Sequence, residues 1–186
     1  MDNLLRYIRR FVPLDEQATA LIRQYAREEF YQKRELILRP GRYCDRIWFI
    51  SSGMVRKYYL LDGQEITTWI HTENEILTSL NSYFHQEVSD EYLEACEPVK
   101  LVSISRDNSS YLAENPSVLQ FTTLMMGEHF ARLDANSREF SQLDAQSKYN
   151  FLRKTAPEMM KRASLGHIAS IMGIHPSTLS RLRRKV

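Results

Sequence analysis

Apolar positions follow a helical period at both ends of this chain and a strand period in between. From Asp15 to Glu28, Ala18, Leu21, Ile22 and Tyr25 recur on one helix face, which predicts a helix there. From Glu35 onward the spacing shortens into β-rich runs: Leu36 to Leu38, Ile47 to Ile50, Met54 to Leu61, Ile66 to Ile70, Tyr92 to Cys96 and Val99 to Ser103. Turn signals separate them at Pro40-Gly41, Ser52-Gly53, Asp62-Gly63 and Glu97-Pro98, and Asp-Gly favours a hairpin because both central residues of a type I′ turn need positive φ. At least six short strands between helices predict an α+β chain built on an antiparallel β jelly-roll barrel.

After Pro116 the helical period returns, with Leu119, Met126, Leu133 and Phe140 every seven residues and Phe130 at a complementary position. This seam fits a short parallel dimer contact, since Thr123 and Ser137 interrupt it with polar groups. Phe121, Leu124, Met125 and Ala131 form a second stripe that fits packing on the barrel instead, and opposite faces of one helix can do both. Asp144 is placed to cap a further helix, Ala145 to Thr155, which ends before Pro157.

The chain closes with two short helices. Leu165, Ile168, Ala169 and Met172 form one stripe behind a Ser164 cap; Gly173-Ile174-His175 breaks the helix; Pro176 opens the next, with Leu179, Leu182 and Val186 inward. Ala169 is small enough for close crossing, and Ser177, Ser180, Arg181 and Arg184 gather on the outer face. This is the arithmetic of a helix-turn-helix whose second helix enters a DNA major groove. The other reading is an amphipathic hairpin that docks a protein partner.

Charge changes the picture more than composition does. The 186 residues carry a net charge of only +2, yet residues 151–186 hold +7 and the remainder −5. A basic end on an acidic body suits a protein that offers one part to phosphates. The 43% apolar content supports a packed core. No apolar run approaches the roughly 18 residues of a membrane span, and the N-terminus lacks the apolar core of a signal peptide, so a cytoplasmic protein is expected. Cys44 and Cys96 read as reduced, buried thiols. His71, His85, His129, His167 and His175 show no paired ligand spacing, no catalytic motif occurs, and neither metal, cofactor nor enzymatic activity is expected.

The order of elements, the run RPGRYCDRIWFISSGMVRKYYLLDGQEI, with Gly41, Gly53 and Gly63, and the closing Ile168-Ala169, Gly173-Ile174 and Thr178-Leu179-Ser180-Arg181 together resemble the Crp/Fnr family of bacterial transcription regulators. LDAQSKYNFLRKTAPEM is similar to the hinge segment of the branch common in Bacteroidetes-like bacteria. The resemblance implies a cyclic-nucleotide-binding-like sensor over residues 1–115, a dimerisation helix over 116–142 and a DNA-binding helix-turn-helix over 143–186, here expected to lack a β-wing. It implies a homodimer on double-stranded DNA and RNA polymerase as a further partner; for the barrel two readings stand, a small-molecule effector of unknown identity, apolar or uncharged, or no ligand at all and a role as folding and dimerisation platform. Ser177, Thr178, Ser180, Arg181 and Arg184 are the candidate DNA contacts on the second helix, with Lys161 and Arg162 for phosphates. Ser177 stands where the family usually has Glu, and His175 where it has a Thr cap.

One departure bears on the effector. Cyclic-AMP-binding members carry a Gly-Glu pair for the ribose and an Arg with Ser or Thr for the cyclic phosphate, an anion that needs a cation when buried. The corresponding stretch, Thr72 to Ala95, contains no Gly, Lys or Arg but has Glu73, Glu75, Glu87, Asp90, Glu91 and Glu94, with Glu91-Tyr92 where the Arg would fall. Control by cyclic AMP is therefore not expected. Arg56 or Lys57 on a neighbouring strand are the cations that could substitute.

Overall fold

The computed structural model describes residues 1–184, apart from the side chains of residues 132 and 135–139. Val186 of the last predicted stripe and the Ser137 side chain of the seam lie outside the described residues. The chain runs α1 (Asp2–Ile8), α2 (Glu16–Tyr25), β1 (Arg27–Tyr31), β2 (Leu36–Leu38), β3 (Arg46–Ser52), β4 (Val55–Leu61), β5 (Gln64–His71), β6 (Ile76–Leu77), α3 (Leu80–His85), β7 (Tyr92–Ala95), β8 (Val99–Ser105), α4 (Arg106–Leu112), α5 (Pro116–Gln142), α6 (Ala145–Thr155), α7 (Pro157–Arg162), α8 (Leu165–Met172) and α9 (Pro176–Arg184). Two antiparallel four-stranded sheets, ordered β1-β8-β3-β6 and β2-β7-β4-β5, form the jelly roll.

Strand alternation sorts the barrel into three apolar layers. Trp48, Ile50, Val55, Leu93 and Leu101 fill the space between the sheets. Phe49 and Val102, one residue out of phase with Trp48 and Leu101, face outward from the first sheet and meet Leu4, Leu5, Ile8, Ile22, Leu112 and Phe121 of the surrounding helices. Met54, just before β4, and Ile70 on β5 of the second sheet meet Leu152, Met159, Ile168, Met172 and Leu179 of the C-terminal helices. At the β4–β5 hairpin Asp62 and Gly63 take φ of 50° and 78°, the left-handed pair its sequence predicts.

The helix expected from Asp15 to Glu28, α2, is shorter than its apolar spacing predicts. It ends at Tyr25, and the chain extends at Ala26 so that residues 27–31 pair with β8 as a strand; ladder pairing outweighs the helical pattern there. The short elements α1, α3, α4, α7 and β6 were not expected. The long helix begins at Pro116, where the Asn115 side chain accepts from the N–H groups of Ser117 and Val118. Its packing stripe is Val118, Phe121 and Met125, while Leu124 and Ala131 of the predicted stripe are exposed.

Candidate nucleic-acid interface

Each C-terminal helix is delimited by the chemistry of its ends. The Asp144 carboxylate accepts from Ser147 N–H at 2.8 Å to start α6, and the Ser164 hydroxyl accepts from His167 N–H at 3.2 Å to start α8. Gly173 ends α8 at φ 66°, a left-handed conformation that glycine adopts without strain. His175 then takes up the cap of α9, its Nδ1 accepting from Ser177 N–H at 3.3 Å. Ile168, Ala169, Met172 and Leu179 are buried at the α8–α9 crossing, so the hairpin is a packed unit.

With Leu179 inward, Ser177, Arg181 and Arg184 at i, i+4 and i+7 lie exposed on one face of α9, flanked by half-buried Thr178 and Ser180. The Arg181 guanidinium is 3.4 Å from Thr178 Oγ1. Arg183 instead turns back to donate to the Met160 carbonyl. Lys161, at the end of α7, is 68% exposed and has Glu158 at 2.7 Å. Arg162 departs from the expectation of a free phosphate contact. Its guanidinium forks onto Glu73 of the barrel at 2.9 and 2.8 Å, with Glu97 at 3.6 Å.

The C-terminal helices meet the barrel through further polar contacts. Thr67 N–H on β5 donates to Ser170 Oγ on α8 at 2.9 Å, while Lys148 of α6 donates to the Met172 carbonyl of α8 and so ties the C-terminal helices to one another. Arg56 is buried on β4 between Glu65 at 2.6 Å and Glu94 at 3.2 Å, with its guanidinium 3.9 Å above the Tyr58 ring. His167 lies in the field of this cluster. Burial and then Arg56 push its imidazole below the ordinary value, with Glu94 and Glu65 opposing.

The acidic stretch from Thr72 to Ala95 is likewise occupied. Glu73 accepts from Arg162 and from Gly53 N–H; Glu75 accepts from Thr72; Lys57 reaches Glu91 at 2.8 Å; and Arg56 holds Glu94. Burial would raise the Glu73 carboxyl, but Arg162 and the backbone donors hold it below the usual carboxylate range. Ser82 closes the segment, accepting from Cys44 N–H at 2.8 Å and donating to the Glu87 carbonyl at 2.6 Å. Both Arg56 and Lys57 are thus committed to carboxylates. A cavity of about 310 Å³ opens instead beside β1 and β2, lined by Glu29, Tyr31, Arg39, Arg42, Arg46 and Trp48 among others.

On α5, Leu119, Met126 and Leu133 are about half exposed and Phe130 is 76% exposed. Phe140 leaves this seam: its ring lies 5.7 Å from that of Phe151, because the last turn of α5 packs on α6. Cys44 is buried and Cys96 half-buried, the latter thiol pushed up to about 11 by burial. Among the described residues no group of three metal-ligating side chains occurs, and no helix is long and apolar enough to cross a membrane.

Residues 28–115 match the cyclic nucleotide-binding domain. This span covers the strands from β1 onward with α3 and α4. The wider chain shares its fold with solved transcription regulators. CLP of Xanthomonas campestris, a c-di-GMP responsive global regulator, aligns over 92% of this chain and 91% of its own with a TM-score of 0.68 and 15% identity. A CooA mutant from Carboxydothermus hydrogenoformans aligns over 92% and 80%, with a TM-score of 0.70 and 18% identity. A protein from Eubacterium rectale assigned to the Crp/Fnr family aligns over 92% and 83%, with a TM-score of 0.66 and 19% identity. A comparison with curated protein sequences finds no match.

Sequence reasoning missed Glu73, Arg56, His167 and Ser170 as a junction. Glu73 and Arg162 are 89 residues apart, and an acid in an acidic stretch carries no local sign of its partner.

Proposed function

We propose that this chain is a Crp/Fnr-type transcription regulator that binds double-stranded DNA as a homodimer through α9. The observation that carries this reading is the exposed face of Ser177, Arg181 and Arg184, borne on a buried α8–α9 crossing within a segment of net charge +7. Arg181 is the candidate for bidentate pairing with a guanine edge, Ser177, Thr178 and Ser180 for short-range contacts, and Arg184 and Lys161 for phosphates. Residues 1–115 act as sensor, 116–142 as dimerisation helix and 143–186 as DNA reader, of the Bacteroidetes-like branch. Leu119, Met126, Phe130 and Leu133 form the two-fold seam, which makes the operator a near-palindrome with half-sites roughly 34 to 36 Å apart. RNA polymerase is a further partner.

Cyclic AMP is not the effector on this reading, because Thr72 to Ala95 supplies no cation and Arg56 and Lys57 are already paired. Calorimetry should show no saturable heat with cyclic AMP or cyclic GMP; micromolar binding would overturn that part. Genome-wide capture of the DNA bound to the protein in its own host tests the main reading. Recurrent enrichment of one near-palindromic sequence is expected, and its absence would favour a hairpin that docks a protein.

A further inference from the structure

We propose that Arg162 is a positioning residue: it clasps the DNA reader to the barrel through Glu73 and Glu97, so that α9 is presented in one orientation. The proposal rests on the DNA-binding reading above, and it gives Arg162 a different task from a phosphate contact.

The acceptor side of the clasp is built into the barrel. Glu73 Oε1, which receives one arm of the guanidinium, also accepts from Gly53 N–H at 2.8 Å. Gly53 has φ of 93°, and a Cβ there would lie 2.6 Å from the Pro98 carbonyl oxygen, so neither its conformation nor its distance from the β7–β8 turn can change freely. Glu97, the second acceptor, belongs to that same turn. The clasp is thereby fixed to two turns of the barrel at once.

The donor side sits where orientation is decided. Arg162 is the last residue of α7, between buried Met159 and buried Ala163, and α8 begins at Leu165. A bidentate fork fixes direction as well as distance, which a lysine ammonium does not. The bond from Thr67 N–H to Ser170 Oγ holds α8 from β5, so the reader is tied to the barrel at two points and resists rotation about either. Two readers must meet successive major-groove faces together, and an unclasped reader spends part of its binding free energy on becoming oriented. A guanidinium whose fork is closed on Glu73 is not available to a phosphate.

The test uses the full chain with Arg162→Ala, Glu73→Gln and the double variant Arg162→Ala with Glu73→Gln. Hydrogen exchange at the Thr67 amide needs no DNA: it should quicken about tenfold in each single variant and no further in the double variant, as expected for one shared local tether. Unchanged exchange in both single variants overturns the clasp. On DNA, each single variant should lose about tenfold in affinity for the palindromic operator but less than about twofold for a half-site, with the salt slope unchanged and no further loss in the double variant. If Arg162→Ala alone weakens both duplexes and lowers the salt slope by about one unit, while Glu73→Gln has no effect, Arg162 is a phosphate contact and the proposal fails. If Thr67 responds as expected but the unmodified protein retains no DNA, the DNA-binding reading fails and the clasp stands as a barrel contact.

Discussion

The two sheets of the barrel are covered from outside in different ways. Against the first, α1, α2 and the start of α5 close an almost wholly apolar layer in which Tyr7, Phe11 and Phe121 meet edge to face, and Tyr7 meets Phe49 at a tilt, at centroid distances of 5.2 to 6.2 Å. Against the second, the C-terminal helices bury Met54 and Ile70 but ring them with charge: Arg162 on Glu73, Arg56 between Glu65 and Glu94, and His167 beside that cluster. Apolar burial responds little to salt and pH in the ordinary range, whereas a partly exposed ion pair such as Arg162–Glu73 responds to both. The first cover reads as permanent architecture. The second is a contact that conditions can tune, and it holds the part of the molecule proposed to meet DNA.

This contrast can be broken most forcefully from its apolar side. Phe121→Ala should cost about 3 to 5 kcal/mol through lost burial and an unfilled cavity, lowering the melting temperature of the whole chain equally at low and high salt. A salt-dependent loss would show that the first cover is not the dry layer described. Arg162→Ala should cost far less, about 1 kcal/mol or under, because the pair is about a third exposed, and the difference from the unmodified chain should shrink toward zero in about 1 M salt. Thermal melts at both salt concentrations separate the two.

The smallest effect concerns pH. Burial and Arg56 disfavour the protonated form of His167 in the folded chain, so the unfolded chain binds more protons at this position. Its contribution is fully present above the ordinary imidazole value, about 6.5, and is lost as pH falls below it. Melts between pH 5 and 8 should fall toward acid for the unmodified chain and less steeply for His167→Gln. Equal slopes would remove His167 from the account.

Much of the architecture was legible because it is local. Asp-Gly at the β4–β5 hairpin, the Asp144 and Ser164 caps and Gly173 after α8 each act within four residues, and each stands where its chemistry predicts. Arg27 and Glu28 were read into the helix, and the strand over residues 27–31 went unforeseen, because its strand character comes from β8, some seventy residues later. In the candidate site the partners of Phe140 and Arg162 went unforeseen for the same reason. A heptad position records only that an apolar face exists, and a cation before a helix only that charge exists; Phe151 and Glu73 decide which partner each takes, and neither leaves a mark near them in the sequence. Ser177, Arg181 and Arg184 were legible because i, i+4, i+7 spacing opposite Leu179 fixes a shared exposed face without reference to anything distant.

The central claim, that the exposed face of α9 reads DNA, is tested most directly by titrating the unmodified protein and Arg181→Ala against the captured operator and a scrambled duplex of equal length at moderate salt. The account predicts that the unmodified protein prefers the operator, and that Arg181→Ala loses about 1 to 3 kcal/mol of that preference while its binding to the scrambled duplex changes little. Equal losses on both duplexes, or no preference in the unmodified protein, would contradict it.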